Sequence, residues 1–157
     1  LALGYQRQID RRIRRLGIQD RILLTDHIKD SAILTSFYRH AHFTFVMSEW
    51  ESFCVPVVES MSFGTPVVVH NVPPLPEVLG DGGVVVDKRD PKAVALAVDQ
   101  LWDDEPRYAN LCEASKARAA HFTEAELYED VVGLMDEIFG RSWESTNAAA
   151  SVPQDSV

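Results

Sequence analysis

The chain has 157 residues, of which 46% are hydrophobic and 25% are charged, a balance typical of one globular domain. Its formal net charge of −9 argues against general nucleic-acid binding, which needs a basic face. No apolar run approaches the roughly 20 residues that span a bilayer, and two cysteines without metal-ligand spacing favour a reducing, cytoplasmic setting. The chain begins with Leu rather than Met, so we expect it to be part of a longer protein.

The first 40 residues predict strands and helices in alternation. In chain order these are the end of a strand over residues 1–3, a helix over 5–16 that Gly17 ends, a short buried strand over 21–25, and a helix over Ser31–His40 capped by Asp30. The apolar face of this last helix assigns Phe37 and Tyr38 to the core, without a ligand.

Most of the basic residues fall in the same part of the chain. The first predicted helix carries four closely spaced arginines, Arg11, Arg12, Arg14 and Arg15. Two interpretations stay open for them: a solvated helix face, and a contact with anionic lipid.

The remaining elements continue the alternation and then become helical. They are a strand over 43–47, a helix over 56–63 that Gly64 ends, strands over 66–70 and Gly83–Val86, and helices over Pro91–Trp102, 105–121 and Glu124–Phe139. In the last helix, a core stripe is predicted at Leu127, Val131, Leu134 and Ile138. We expect one domain over residues 1–140, and a disordered tail over residues 141–157.

The predicted strands are continuous apolar runs rather than alternating ones. Such strands are typical of a parallel sheet that is covered by helices on both faces. The fold class is therefore α/β, with a Rossmann-like parallel sheet and a helical C-terminal segment.

A loop over residues 49–55 lies between a predicted strand and the helix that Pro56 opens. In open parallel sheets, ligands bind at the carboxyl ends of the strands. A helix that begins there offers unpaired N–H groups and the positive end of its dipole. The sequence therefore predicts an anion site for a phosphate or diphosphate, with the amides of Cys54 and Val55 pointing to it.

Two carboxylates flank this predicted anion site. Because a carboxylate repels phosphate, Glu59 is expected to address another part of the ligand. Vicinal hydroxyls of a ribose fit, since one carboxylate accepts two hydrogen bonds from a diol. Glu51, which precedes the helix, is then free to face the group beyond the diphosphate.

This stretch resembles the Glu-x7-Glu motif of retaining glycosyltransferases with the GT-B fold, in particular the group 1 family (family 4). Members commonly read Ser-x-x-Glu-Gly-Phe-Gly-Leu-Pro-x-x-Glu-Ala-Met-x-x-Gly-x-Pro-Val, and this chain reads Ser48-Glu49-Trp50-Glu51-Ser52-Phe53-Cys54-Val55-Pro56-Val57-Val58-Glu59-Ser60-Met61-Ser62-Phe63-Gly64-Thr65-Pro66-Val67. Further similar segments lie around the motif, namely Phe37 to Ala41, Leu75 to Val78, Gly83 to Asp87 and His121 to Thr123. The resemblance covers about residues 1–139 and implies the C-terminal, donor-binding half of a GT-B fold.

The resemblance implies a role for each motif residue. Glu59 would bind the ribose of a nucleotide-diphosphate sugar, and the amides of Cys54 and Val55 would hold its diphosphate. Glu51, with the amides of Ser52 and Phe53, would face the transferred hexose. The backbone near His27 and Ile28 would meet the base. The implied reaction is transfer of a hexosyl group with retention of configuration, without a cofactor or metal, in polysaccharide or glycolipid biosynthesis.

The chain departs from the family pattern in two ways. Ser52 and Cys54 replace the two glycines of Gly-Phe-Gly, so side chains narrow the loop. The family's first strand–helix unit, with an Arg and a Lys that neutralise the diphosphate, has no counterpart here, and neither has the acceptor domain. We therefore expect a partner domain on the same or another chain, and this chain alone to be an inactive fragment. A noncatalytic or split module is the main alternative, and a related epimerase is a third.

For several other candidates we favour structural roles. Cys54 has no partnered base nearby in sequence, so we interpret it as a small apolar filler rather than a nucleophile. His40 and His42 lack further ligands at a spacing suited to a metal. Glu77 is expected to brace its loop, and only His70, at the end of a strand, is kept as a candidate for a donor contact.

Overall fold

The computed structural model describes residues 2–25 and 27–139 of the chain. Contacts between residues divide this part of the chain into two units, one ending at Ser36 and one beginning at Phe37. They are called unit 1 and unit 2 below. The predicted tail over residues 141–157 lies outside the described residues.

All regular secondary structure described in unit 1 is helical. Helix α1 (Ala2–Leu16) is followed by Gly17, whose φ of 66° is the left-handed conformation that ends a helix, and then by a 3₁₀ turn over Gln19–Arg21. Helix α2 (Ser31–His40) begins in unit 1, and Asp30 Oδ1 caps it by accepting from Ala32 N at 2.8 Å. These helices and caps confirm the predictions.

Both strands predicted in this part of the chain are wrong. Ala2 and Leu3 belong to α1, while Leu1 lies outside the described residues. Residues 22–25 are irregular, and the Leu23 side chain is 75% exposed. The physical reason is that an apolar run becomes a strand only beside a partner strand, and among its described residues unit 1 has none.

Unit 2 contains a three-stranded parallel sheet, which confirms the predicted α/β class. Its strands are β1 (Thr44–Val46), β2 (Val67–His70) and β3 (Gly83–Val86), in the order β1-β2-β3. Thr44 pairs with Val67 and Val67 with Gly83, so the carboxyl ends of all three strands lie at one edge.

The core of unit 2 forms around the central strand. Helix α3 (Val55–Ser62) joins β1 to β2 and buries Val57 and Met61, while the short helix α4 (Leu75–Leu79) joins β2 to β3. Three valines of β2 are fully buried with them, because β2 pairs with a strand on each side and helices α3 and α4 pack against it. Sequence patterns did not predict α4, since its five residues are too short for a helical period.

Three helices follow the sheet, as predicted. They are α5 (Pro91–Trp102), capped by Asp90 Oδ1 at 3.0 Å from Ala93 N, α6 (Glu105–Ala119), which runs into a 3₁₀ turn over Ala120–Phe122, and α7 (Glu124–Phe139). No helix among the described residues is long and apolar enough to cross a membrane.

The core stripe predicted on α7 is wrong. Its four residues, Leu127, Val131, Leu134 and Ile138, are all at least half exposed. Phe37, also assigned to the core, is 44% exposed. An apolar period predicts which face of a helix is available for burial, but another element must cover that face.

Candidate functional site

The loop between β1 and α3 lies where the sequence predicts the site, at the carboxyl edge of the sheet. Cys54 ends this loop as the N-cap of α3, with a left-handed φ of 68°, and its side chain is buried. Its carbonyl accepts from Val57 N at 2.9 Å, which closes the first helical turn. The helix thus begins at Val55, one residue before Pro56.

The anion site is predicted at the N-terminus of α3. The first N–H groups of a helix have no acceptor within the helix, and the dipole places partial positive charge there. Val55 is 55% exposed at this end, and Ser52 in the loop before it is exposed as well. The end of the helix is therefore open to a ligand, as the prediction for the Cys54 and Val55 amides requires.

Glu51 and Cys54 are brought close together within the loop. Burial raises the pKa of the Cys54 thiol, and the nearby Glu51 carboxylate, which accepts a hydrogen bond from it, raises that pKa further. A thiol in such surroundings keeps its proton and is a poor nucleophile. This agrees with the interpretation of Cys54 as a filler.

Glu59 has a partner that the sequence did not predict. The Tyr38 hydroxyl donates to Glu59 Oε2 at 3.0 Å, and both side chains are half-buried. Burial and the Glu59 carboxylate raise the pKa of Tyr38 to about 12. Tyr38, which was predicted as a core residue without a ligand, is half-buried: its ring stacks on Phe63, 6.0 Å between centroids, while its hydroxyl donates to Glu59.

Phe53 anchors the C-terminal end of the loop. Its ring meets that of Phe122 edge to face, 5.6 Å between centroids, and Arg118 lies over the other ring at 4.9 Å. Arg118 also donates to the carbonyls of Val78 and Glu77, at 3.0 and 2.6 Å. The Phe53 side chain is thus a structural anchor, while its amide stays the predicted sugar contact.

A second charged group lies at the same edge of the sheet, and sequence reasoning missed it. Lys88 Nζ pairs with Glu49 Oε1 at 2.8 Å and donates to Met47 O at 3.2 Å. His70 lies beside it, with Nδ1 at 3.3 Å from both Lys88 N and Val86 O. No sequence signal pairs Lys88 with Glu49. The two residues come together because β1 and β3 both pair in parallel with β2, which brings their carboxyl ends to the same end of the sheet.

Two predictions about the site are left as they were. His27 and Ile28, the predicted base contacts, lie in unit 1 in the irregular stretch before α2. Among the described residues, no three His, Cys, Asp or Glu side chains gather as they would around a metal ion. That the reaction uses no metal stays a prediction.

Comparison with known proteins places these residues in a family context. The family described as Glycosyl transferases group 1 matches residues 3–118. D-inositol 3-phosphate glycosyltransferase from Corynebacterium diphtheriae is 39% identical over 125 residues, which are 76% of this chain and 29% of that enzyme. O-antigen chain mannosyltransferase B from Escherichia coli is 46% identical over 63 residues, 40% of this chain and 16% of that protein. The chain spans less than a third of the length of the inositol phosphate glycosyltransferases that it matches.

Solved structures show the same fold. The crystal structure of HepE from Anabaena in complex with UDP has a TM-score of 0.74 at 19% identity, and the match covers 87% of this chain and 38% of that one. Similarity at this level of identity shows the fold alone, which is that of a GT-B domain.

Proposed function

Because the chain belongs to the group 1 family of glycosyl transferases, we propose that it is the donor-binding domain of a retaining hexosyltransferase. The observation that carries the proposal is the open N-terminus of α3 at the carboxyl edge of the sheet, with Glu51 before it and Glu59 one turn beyond it. The UDP that the Anabaena structure holds and the mannosyl transfer named for the Escherichia coli relative suggest nucleotide sugars as ligands.

The proposed roles follow from charge. As the bond between the sugar C1 and the diphosphate breaks, negative charge grows on the leaving phosphate. Preorganised amides of Cys54 and Val55 and the dipole of α3 stabilise that charge, without a metal. Glu59 accepts from the ribose hydroxyls, and Glu51 faces the positively charged sugar ring. An acceptor oxygen then bonds to C1 on the same face, and its proton passes to the departing phosphate.

The acceptor is proposed to bind elsewhere. Since the chain matches less than a third of its relatives' length, the acceptor-binding domain is assigned to another part of the same protein or to a partner chain. The chain alone is expected to bind donors weakly and to transfer nothing.

The test is a calorimetric titration of the chain with UDP, GDP and ADP, and then with Glu59→Ala. Loss of two charge-assisted hydrogen bonds is expected to weaken binding of the preferred nucleotide by about tenfold to a hundredfold. Tyr38→Phe removes the hydrogen bond to Glu59 but keeps the carboxylate, so it should weaken binding less than Glu59→Ala does. Glu77→Ala is the control and should leave binding unchanged, since Glu77 is an exposed carboxylate in the first turn of α4. Equal affinities for wild type and Glu59→Ala would refute the role of Glu59.

The side chain of Cys54 favours one alternative. It is buried at the N-cap, where the family has a glycine, and so fills space beside the proposed diphosphate. A noncatalytic or split partner module without activity of its own fits this feature. Failure of all three nucleotides to bind would favour the module over the enzyme domain.

The arginine face of α1 supports a location on the inner face of a cytoplasmic membrane. Arg11, Arg12, Arg14 and Arg15 are all exposed on one helix of unit 1. Each arginine near an anionic surface contributes about 1 kcal/mol to binding. The chain is expected to co-sediment with vesicles that contain phosphatidylglycerol, and to be released by salt. Exchange of the four arginines for glutamine should abolish this, and equal binding to pure phosphatidylcholine vesicles would contradict it.

A further inference from the structure

Lys88 connects the carboxyl ends of β1 and β3, and the proposed function does not use it. Its Nζ donates to Met47 O at 3.2 Å and pairs with Glu49 at 2.8 Å. Because β2 lies between β1 and β3, the lysine side chain reaches past the end of the central strand. Only 26% of that side chain is exposed, so its stem is packed rather than free in solvent.

The backbone that carries Lys88 is held on several sides. Asp87 Oδ1 accepts from Arg89 N at 3.0 Å, and Asp90 N donates to Asp87 O at 3.0 Å, so the turn after β3 is closed. Lys88 N lies 3.3 Å from His70 Nδ1 at the end of β2. The turn therefore fixes where the lysine side chain starts.

The loop before α3 is held at both ends. Lys88 holds its beginning at Met47 and Glu49, and the Phe53 ring on Phe122 holds its end. Glu51 lies between these two anchors. We infer that Lys88 is a positioning residue that fixes the loop so that the Glu51 carboxylate faces the donor sugar.

The two contacts of Lys88 differ in what they contribute. Glu49 is 71% exposed, and an ion pair with an exposed side chain contributes little to stability because water and salt screen the charges. The hydrogen bond to the Met47 carbonyl is partly buried and binds the main chain of the loop directly. Loss of Lys88 is therefore expected to matter more than loss of Glu49.

The inference rests on the proposed function and is tested on the whole chain with UDP-glucose and GDP-mannose. Lys88→Met is expected to weaken binding of the preferred nucleotide sugar by about threefold to tenfold, the loss of one hydrogen bond. Binding of the parent nucleotide should change less, because Glu51 faces the sugar. Glu49→Gln should have little effect, and Lys88→Arg should restore most of the sugar-dependent affinity.

Lys116→Met is the matched control, since Lys116 forms an ion pair of similar length, 2.9 Å, with Glu113 on α6. Amide hydrogen exchange without ligand gives a second readout: Lys88→Met should speed exchange in residues 48–53, while Lys116→Met should not. If no nucleotide binds, the proposed function fails, and this exchange experiment still tests the anchoring. Equal loop exchange in both variants would overturn the inference, as would equal losses of nucleotide and nucleotide-sugar affinity in Lys88→Met.

Discussion

At the scale of single residues, the hydrogen bond between Tyr38 and Glu59 joins stability to the proposed site. A phenol whose pKa is higher in the folded state holds its proton more tightly there. Burial raises the pKa of both Tyr38 and Tyr108 from 10.0 to about 12, with help from Glu59 and Cys112 respectively. Their contribution to stability is therefore complete below pH 10 and is lost as the pH rises towards 12.

We accordingly expect the free energy of unfolding in urea to fall between pH 10 and pH 12. The Tyr38→Phe/Tyr108→Phe double variant should lose less over this interval, because phenylalanine does not titrate. The Cys54 thiol, whose pKa is also raised, contributes with the same sign and remains in both proteins. The same slope for wild type and double variant would show that these tyrosines do not carry the effect.

The site residues divide into those that sequence predicts and those that it misses. The positions of Glu51, Cys54 and Glu59 around the start of α3 could be predicted, because their spacing along the chain is local. Their roles at the site stay predictions. Tyr38 and Lys88 were missed because each reaches the loop or α3 from an element more than 20 residues away. Such contacts depend on how the strands pair, which no local pattern contains.

At the scale of elements, the approach of β3 to β2 depends on Gly83. A Cβ atom at this position would lie 2.0 Å from Val67 O and 2.8 Å from Leu79 Cδ1. Real side chains do not tolerate such distances next to backbone, so the strands would have to separate. Gly83 is thus part of the reason why β3 pairs closely with the central strand.

Gly83→Ala is expected to destabilise the protein by about 3 kcal/mol, at the upper end of overpacking effects. Gly133→Ala is the matched control, because a Cβ there meets nothing within 4 Å and Gly133 lies inside α7. That change should stabilise by up to about 1 kcal/mol through helix propensity. Urea unfolding of both variants measures the difference, and effects of the same sign would contradict this explanation.

Helices were predicted correctly where a capping residue and a helical apolar period occur together. Predictions failed where the structure of a segment depends on a neighbouring element. Asp30 and Asp90 cap the helices that they were predicted to cap, and Gly17 ends α1. The apolar runs at residues 1–3 and 21–25 predicted strands, yet the described residues of unit 1 offer no strand to pair with. The prediction that the apolar stripe of α7 is core failed for the same reason, since the sequence does not show which surface, if any, covers a helix.

At the scale of the whole molecule, burial is distributed unevenly between the two units. Fully buried valines lie in β2 and α3 of unit 2, while no described side chain of α1 is buried. Local opening costs least where few apolar side chains are buried.

Native-state hydrogen exchange is therefore expected to be slowest at Val67 to Val69 and much faster along α1. NMR of the whole chain, transferred into deuterated buffer, measures both sets of amides at once. Ligand is left out, so the result does not depend on the proposed function. Protection of α1 equal to that of β2 would mean that the two units unfold together.

The position of the Glu51–Glu59 motif, in the connection between β1 and β2, has a thermodynamic consequence. Strands follow one another in the sheet in chain order, and the residues from Glu51 to Glu59 lie within the crossover between β1 and β2. The proposed ligand-binding surface therefore forms only after these two strands have paired. A nucleotide bound there is linked to folding by mass action, so each tenfold rise of its concentration above the dissociation constant adds about 1.4 kcal/mol to the unfolding free energy. Thermal shift is thus a direct assay for the proposed donor, even for a domain that catalyses nothing by itself.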